Sequence, residues 1–321
     1  TIYTIVFITV PILIHYLFSN LRYKIKKLVA HDSYIKKLKT QMLPKIPTTT
    51  QLTPMLPLIR KQFTYEEDEN DQFYYEFIKH SNSEKQPVII IPFLGGHSKS
   101  HCIRRATHHY YKQGHDVYIL LQRGSMNLKI NPNQKKFRDT YSTDDINKLV
   151  GIVGKCYLVG YSFGALQINH FCISGYNKQL VEKCVALFMS HDVMYIQKLS
   201  TKIQMELGSW IINQISNNKM YYLNQGITED ELDTLLIMHT IKKYNEVIST
   251  KCLKVKNIEK YNEKISMAGK IEQIKTAMLY ISTDDDIITG KQYLTDEIQN
   301  NPFCNLVVIN KGNHLGTRTR G

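Results

Sequence analysis

Residues 155–171, KCYLVGYSFGALQINHF, decide the fold. The apolar run at 155–159 predicts a short buried strand, and the apolar residues that recur after the turn predict a helix. Between the two lies GYSFG at 160–164, a G-x-S-x-G pentapeptide. A strand, a sharp turn and a helix around such a pentapeptide are typical of a nucleophile elbow, which raises the serine hydroxyl above the sheet edge. We expect strained backbone angles at Ser162, and a Cβ at either glycine would collide with neighbouring backbone.

Apolar runs and amphipathic segments alternate along the rest of the chain. Strands are predicted at 87–92, 116–121, 184–189, 277–282 and 306–309, and helices at 100–112 and 144–150. Such alternation predicts an α/β fold with a mostly parallel, doubly wound sheet. Two further strands, 63–65 and 73–78, flank the acidic run EEDENDQ and predict an antiparallel hairpin at a sheet edge. The polar, helical segment 192–272 interrupts the alternation, as an inserted helical lid would.

Composition excludes several classes of protein. The chain has 321 residues, 43% of them hydrophobic, which suits one large α/β domain with additions. Its net charge of +13 comes from scattered basic residues without a helix-turn-helix, zinc-finger or RNP pattern, so we expect no nucleic-acid partner. The six cysteines occur singly, which argues against a disulfide framework. The sequence also has no N-glycosylation sequon, and both observations favour a cytosol-facing domain.

The N-terminal 18 residues, TIYTIVFITVPILIHYLF, are almost uninterruptedly apolar. Their length is close to the roughly 20 residues that span a bilayer, so they predict a single-pass membrane helix. A signal peptide is disfavoured because the basic residues follow the apolar run, over 22–39, instead of preceding it. The positive-inside rule then places the rest of the chain in the cytosol. We therefore predict an anchor at 1–20, a basic juxtamembrane segment and linker at 21–60, and a globular domain at 61–321.

The sequence offers partners for Ser162. An activated serine needs a base within hydrogen-bonding reach and a third group that orients the base. In an elbow-type site both follow later in the chain, the acid first, each just after a strand. His314 follows the last predicted strand in a loop bracketed by glycines, and it is the candidate base. Three aspartates at 284–286 follow the preceding strand; the spacing selects Asp286 as the acid, with Asp285 as the alternative.

The tetrahedral intermediate of acyl transfer also needs two N–H groups preset around its oxyanion. One is predicted at Phe163, directly after the serine. The other is predicted at Leu94, which follows the strand at 87–92. Gly95 and Gly96 allow that loop to approach a substrate closely.

A metal site is the other chemistry that the sequence could carry. Histidines crowd residues 97–115, but none forms an H-E-x-x-H motif or accompanies a C-x-x-C pair. We therefore expect ordinary loop and helix roles for them, and we predict neither a metal nor a cofactor.

With these residues in hand, the chain resembles the α/β-hydrolase superfamily from about residue 55 onward. The motifs that carry the resemblance are LGGHSKSHCIRR at 94–105, QRG at 122–124, YSTDDI at 141–146, GYSFGA at 160–165, STDDD at 282–286 and GNHLG at 312–316. Within the superfamily it is similar to the branch of bacterial YheT, plant embryogenesis-associated hydrolases and animal α/β-hydrolase-domain proteins 1 and 3. The resemblance implies hydrolysis of carboxylic esters, often short- or medium-chain acylglycerols or phospholipids. Animal members of the branch carry an N-terminal membrane anchor.

The chain departs from that family at three places. Pro92-Phe93 stands where the family has His-Gly before the oxyanion loop, Ala165-Leu166 stands where Gly-Asn is common, and Ile287 replaces a Pro. The chain also ends seven residues after His314, at a point where members of the family have a closing helix. This predicts that the chain is a fragment.

The resemblance and the candidate triad together predict a membrane-anchored serine hydrolase with a lipid or small-ester substrate. An acyltransferase or a peptidase on the same fold is the alternative among enzymes. A catalytically weak binding protein with a hydrolase fold is the alternative from another class, and the change at residues 92–93 favours it.

Overall fold

The computed structural model describes residues 28–29, 53–138, 142–284, 286–289, 295–309 and 314–316. Its strands are β1 Leu28–Val29, β2 Ile59–Tyr65, β3 Asp68–Ile78, β4 Val88–Ile91, β5 Val117–Leu121, β6 Cys156–Tyr161, β7 Val181–Leu187, β8 Ala277–Thr283 and β9 Cys304–Ile309. They form one sheet in the order β1-β9-β8-β7-β6-β4-β5-β3-β2. All neighbouring strands from β1 to β5 in this order pair in parallel, whereas β3 pairs antiparallel with both β5 and β2.

The α-helices within the described residues are α1 His101–Lys112, α2 Asp144–Val153, α3 Phe163–Ser174, α4 Val193–Lys198, α5 Thr201–Leu207, α6 Ser209–Asn224, α7 Glu229–Ile237, α8 Ile241–Tyr244, α9 Thr250–Cys252, α10 Ile258–Ile265 and α11 Thr295–Asn300. A π-helical turn, Asn245–Ser249, joins α8 to α9. Short 3₁₀ turns occur at Ser125–Asn127, Lys178–Leu180, Ile271–Gln273 and His314–Gly316. The predicted α/β class and mostly parallel sheet are therefore confirmed.

The centre of the sheet is buried on both faces. All four side chains of β4 are fully buried between β5 and β6. Ile89 and Ile91 join the apolar cluster on one face, and Val88 and Ile90 join the cluster on the other, as the two-residue period of a strand requires. Parallel strands covered by helices on both faces have no solvent face, so their sequences are continuous apolar runs. This is why the strand predictions succeeded.

The predicted hairpin is present, but its turn is shorter than expected. The strands extend into the acidic run, so only Glu66 and Glu67 separate β2 from β3. Asp71 is accordingly a buried strand residue and not part of the turn between the two strands. The prediction was wrong here because the carboxylate is paired with arginines that lie far away in the sequence, as described below.

The segment between β7 and β8 is an insertion of short helices, α4 to α10. Much of it packs on its own apolar cluster, which includes Ile211, Ile215, Tyr222, Leu235 and Ile248. Local signals start its helices: Thr228 and Glu231 form a capping box at the beginning of α7. The insertion therefore has a core of its own beside the carboxyl ends of the strands.

Two predictions concern the N-terminal region. The predicted membrane helix at 1–18 lies outside the described residues. Among the described helices, none combines the length and the apolar character that a bilayer-spanning segment requires. Leu28–Val29, within the predicted linker, forms the two-residue strand that pairs with β9.

Candidate active site

Ser162 sits in the strained turn that the pentapeptide predicts. Its backbone angles are φ 51° and ψ −109°, between the end of β6 and the first residue of α3. A non-glycine residue with positive φ is uncommon and needs a surrounding structure that holds it in place. The Ser162 N–H supplies part of that hold by donating to the carbonyl of Leu187 at 2.7 Å. The strained serine is therefore confirmed as a feature of the backbone.

Both glycines of the pentapeptide are required sterically. A Cβ on Gly160 would lie 2.6 Å from the backbone of Ala165, and a Cβ on Gly164 would lie 2.2 Å from the carbonyl oxygen of Ile91. Both contacts would be with backbone atoms, which cannot move aside by a side-chain rotation. The close approach of α3 to the end of β4 is what brings the serine beside the loop that follows β4.

The structure brings Ser162, His314 and Asp286 together, although 152 residues separate the serine from the histidine. Ser162 Oγ lies 2.8 Å from His314 Nε2, and His314 Nδ1 lies 2.8 Å from Asp286 Oδ2. Because the carboxylate accepts, Nδ1 carries the proton and Nε2 accepts from the serine hydroxyl. This is the arrangement in which a histidine can take the serine proton as a carbonyl is attacked.

The carboxylate of Asp286 is held from several sides. Its Oδ1 accepts from the N–H groups of Ile288 at 2.8 Å and Thr289 at 3.2 Å. Burial raises the pKa of Asp286, but the hydrogen bond and charge of His314 and these N–H groups more than offset it, so the pKa lies below its ordinary value. Asp286 is thus ionised at neutral pH and able to hold the imidazole. Asp285, the alternative acid, lies outside the described residues.

Phe188 is a neighbour of His314 that sequence reasoning missed. It directly follows β7 with φ 55°, and its ring packs edge-on against the imidazole with centroids 6.4 Å apart. Its N–H donates to the carbonyl of Ile281 at 2.7 Å. Positive φ is a genuine outlier for a bulky side chain. This backbone conformation places an apolar ring against the histidine, and no local pattern in the sequence predicts the contact.

The two predicted oxyanion donors lie in the same place. Leu94 and Phe163 both line the cavity that contains Ser162. Phe163 is the first residue of α3, so its N–H has no acceptor within the helix. Leu94 belongs to a tight turn in which the Gly96 N–H donates to the Phe93 carbonyl at 2.7 Å. Gly95 has φ 71°, and a Cβ there would lie 2.7 Å from the Cβ of Trp210 in the insertion.

A cavity of about 810 Å³ opens between the ends of the strands and the insertion, with Ser162 and His314 in its wall. One part of the lining is polar and comes from the segment after β5, from α2 and the residues before it, from α3 and from α6: Gln122, Arg123, Ser142, Asp145, Gln167 and Gln214. Another part is apolar and comes mainly from the insertion: Val193, Ile196, Leu207, Ile241, Ile265 and Ile288. Pockets of this size and mixed lining hold small organic ligands, and this lining suits an amphiphile.

A buried ion-pair network includes two residues of the polar wall, Arg123 and Asp145. Arg123 donates to both carboxylate oxygens of Asp145, at 2.8 and 2.7 Å, and to Asp71 at 2.7 Å. Arg138 donates to the other oxygen of Asp71 at 2.9 Å, and the Tyr65 hydroxyl donates to Asp145 at 2.7 Å. Burial lowers the pKa of Arg123, but Asp145 and Asp71 more than offset it, so the pKa lies above its ordinary value. The motifs QRG and YSTDDI mark two of these residues, yet only the fold shows that they pair.

The histidine-rich region has no metal-binding geometry where it can be seen. Among the described residues, no group of three or more His, Cys, Asp or Glu side chains is placed to hold a metal ion. Burial lowers the pKa of His109 to about 4, which keeps it neutral. His115 packs edge-on against Tyr110 and Tyr157.

No protein-family model matches the chain. Among curated proteins it is similar to monoacylglycerol lipase ABHD2 of Danio rerio, 22% identical over 236 residues, or 67% of this chain and 54% of that protein. It is also similar to monoacylglycerol lipase of Saccharomyces cerevisiae, 21% identical over 170 residues, or 50% of this chain and 38% of that protein. The match therefore spans about half or less of these relatives.

Among solved structures, the esterase Pf2001 of Pyrococcus furiosus is similar with a TM-score of 0.49 and 11% identity, over 80% of this chain and 84% of that one.

The sheet order, the strained elbow and the sequence relatives place the chain in the α/β-hydrolase superfamily. Within that superfamily, the curated relatives named here are monoacylglycerol lipases.

Proposed function

We propose that this chain is a serine hydrolase that cleaves carboxylic esters of lipids, with monoacylglycerols as the substrate class. The observation that carries the proposal is the continuous hydrogen-bonded row from Ser162 through His314 to Asp286. The mixed lining of the cavity and the names of the curated relatives support the lipid substrate. The same features are compatible with a place in the YheT-like branch of the superfamily.

The geometry supports a two-step reaction. Ser162 Oγ attacks the ester carbonyl carbon while its proton passes to His314 Nε2, and the N–H groups of Leu94 and Phe163 stabilise the oxyanion. The intermediate collapses to an acyl-enzyme, and the alcohol leaves with the proton from His314. Water then attacks the acyl carbon, again giving its proton to His314, and the carboxylic acid and free serine are released. Asp286 stabilises the imidazolium in both steps.

The reactivity of Ser162 tests this proposal. We expect a fluorophosphonate probe to label the protein rapidly, because only an activated serine reacts quickly. Ser162→Ala should abolish labelling and lower kcat for ester hydrolysis by on the order of 10⁶-fold, if the triad acts as a unit. Ser174→Ala is the matched control, since Ser174 is an exposed residue near the other end of α3. Labelling that persists in Ser162→Ala would exclude the assignment, and an unreactive wild type would favour a binding protein instead.

A membrane-facing role for the insertion belongs to the same proposal. Residues of α4, α5, α6 and α8 line the cavity beside the serine, which is where a lid over the site would lie. At the end of α7, Ile237 is 78% exposed and Met238 is 49% exposed, and Lys242 and Lys243 follow closely. Apolar side chains next to lysines suit a lipid interface, because anionic lipid attracts basic residues by roughly 1 kcal/mol each.

The predicted anchor at 1–18 would hold the site beside such a surface, with the hydrolase domain facing the cytosol. Carbonate extraction of membranes tests it, with the whole chain compared with a chain that lacks residues 1–20. We expect only the whole chain to stay with the membrane. Release of both chains into the soluble fraction would refute the anchor.

A further inference from the structure

Two glutamine side chains are joined to each other on the polar wall of the cavity. Gln122 directly follows β5, and Gln167 lies on α3, five residues after Ser162. Gln122 Nε2 donates to the carbonyl oxygen of Pro92 at 3.2 Å and to Gln167 Oε1 at 3.0 Å. The QRG motif marks Gln122, but nothing in the sequence connects it with Gln167, because the two are 45 residues apart and only the fold brings them together.

These two hydrogen bonds determine which end of each amide points where. The Pro92 carbonyl can only accept, so the nitrogen of Gln122 must face it. The second hydrogen on that nitrogen meets Gln167, which must therefore present its oxygen. The carbonyl oxygen of Gln122 and the NH₂ group of Gln167 are left over. Neither has a hydrogen-bond partner in the part of the chain that the structure describes, although only 7% of Gln167 is exposed.

We propose that Gln122 Oε1 and Gln167 Nε2 form a specificity subsite for the hydroxyl groups of the substrate's alcohol part. This inference rests on the proposed ester hydrolysis, and it assigns the glycerol hydroxyls of a monoacylglycerol to this pair. A diol offers a donor and an acceptor on adjacent carbons, which matches an acceptor and a donor on adjacent amides. A plain alkyl ester of the same acid leaves both amide groups unpaired. A site built to hydrogen-bond a hydroxyl discriminates against such analogues for this reason.

The pair also has a mechanical role that must be separated from recognition. The Pro92 carbonyl held by Gln122 is the same carbonyl that a Cβ on Gly164 would meet at 2.6 Å. Gln122 therefore braces the loop that carries Leu94 against the elbow helix. Loss of a brace lowers turnover of every ester alike, whereas loss of a hydroxyl subsite lowers selectivity for the hydroxylated one.

The measurement is the ratio of kcat/KM for a 1-monoacylglycerol to kcat/KM for the methyl ester of the same fatty acid. Gln167→Glu keeps an oxygen for Gln122 to bond and removes the two amide donors. Gln167→Leu removes both functions. We expect the ratio to favour the monoacylglycerol in the wild type and to fall about tenfold in Gln167→Glu, the effect of one hydrogen bond.

The matched control is Gln204→Leu. Gln204 is a buried glutamine on α5 that bonds backbone carbonyls of Gln197 and Leu199 and is absent from the cavity lining. It should leave the ratio unchanged. Thermal unfolding and fluorophosphonate labelling of each variant report folding and the state of Ser162, and Gln167→Glu decides the question if Gln167→Leu does not fold.

The outcomes separate the subsite from the proposed function. A wild type that hydrolyses the methyl ester without preferring the monoacylglycerol overturns the subsite and leaves ester hydrolysis standing. Variants that lose activity on both esters in equal proportion show a brace and also overturn the subsite. A wild type that hydrolyses neither ester refutes the proposed function, and the subsite fails with it.

Discussion

Replacing Gly164 by alanine tests how tightly the elbow is packed. A Cβ there would lie 2.2 Å from the Ile91 carbonyl oxygen and 2.6 Å from that of Pro92. Ordinary carbon–oxygen contacts are longer by about 1 Å, so α3 or the end of β4 must move by roughly that distance. Helix propensity acts in the opposite direction, since alanine is favoured over glycine in a helix by about 1 kcal/mol. The sign of the stability change therefore shows which effect dominates.

We expect Gly164→Ala to lower the free energy of unfolding by about 1–3 kcal/mol, as overpacking does. Catalysis should suffer more, because a shift of about 1 Å between reacting groups costs on the order of 10²-fold in rate. Urea unfolding and kcat/KM for ester hydrolysis measure the two effects.

Gly151→Ala is the control. Gly151 also lies in a helix, α2, and there a Cβ would meet only the side chain of Asn177, at 2.9 Å. We expect its stability within about 1 kcal/mol of the wild type and its rate unchanged. A Gly164→Ala protein as stable and active as wild type would refute the steric account of the elbow.

Three further predictions concern charged and titratable groups. Asp286→Asn should lower kcat by about 10⁴-fold, because it favours the wrong imidazole tautomer, and Asp285→Asn should not; equal small losses would mean that neither is the acid. His191 is buried with neither ring nitrogen bonded in the described structure, and burial lowers its pKa to about 4. Between pH 6.5 and about 4 the unfolded chain therefore binds a proton that the folded chain does not. The free energy of unfolding should decrease as the pH is lowered through this range, by up to about 1.4 kcal/mol per pH unit. In His191→Phe this decrease should be smaller, as measured by urea unfolding at several pH values. Arg123→Met should cost roughly 3–5 kcal/mol, because it leaves Asp145 buried without its bidentate partner; a loss below about 1 kcal/mol, typical of exposed pairs, would contradict that reasoning.

Much of the fold could be predicted because its signals are local. Parallel strands buried on both faces are apolar runs, so β4 to β9 were located to within a few residues. The elbow is also local, since the strain at Ser162 and the need for glycine at 160 and 164 arise within one turn. Strand boundaries were less accurate: β7 begins at Val181, three residues before its predicted start, because pairing with neighbouring strands sets where a strand begins.

The sequence by itself determined the α/β class, the elbow and the three residues that the structure joins by hydrogen bonds, because each follows a recognisable strand. Only the tertiary structure decided which distant groups meet. It placed Phe188 against His314, joined Gln122 to Gln167, and paired Asp71 with arginines 52 and 67 residues further along the chain. Such contacts depend on strand order and on the path of the insertion, which no local period encodes. For the same reason, the acidic run between the two hairpin strands includes Asp71, which is buried and paired with arginines in the fold.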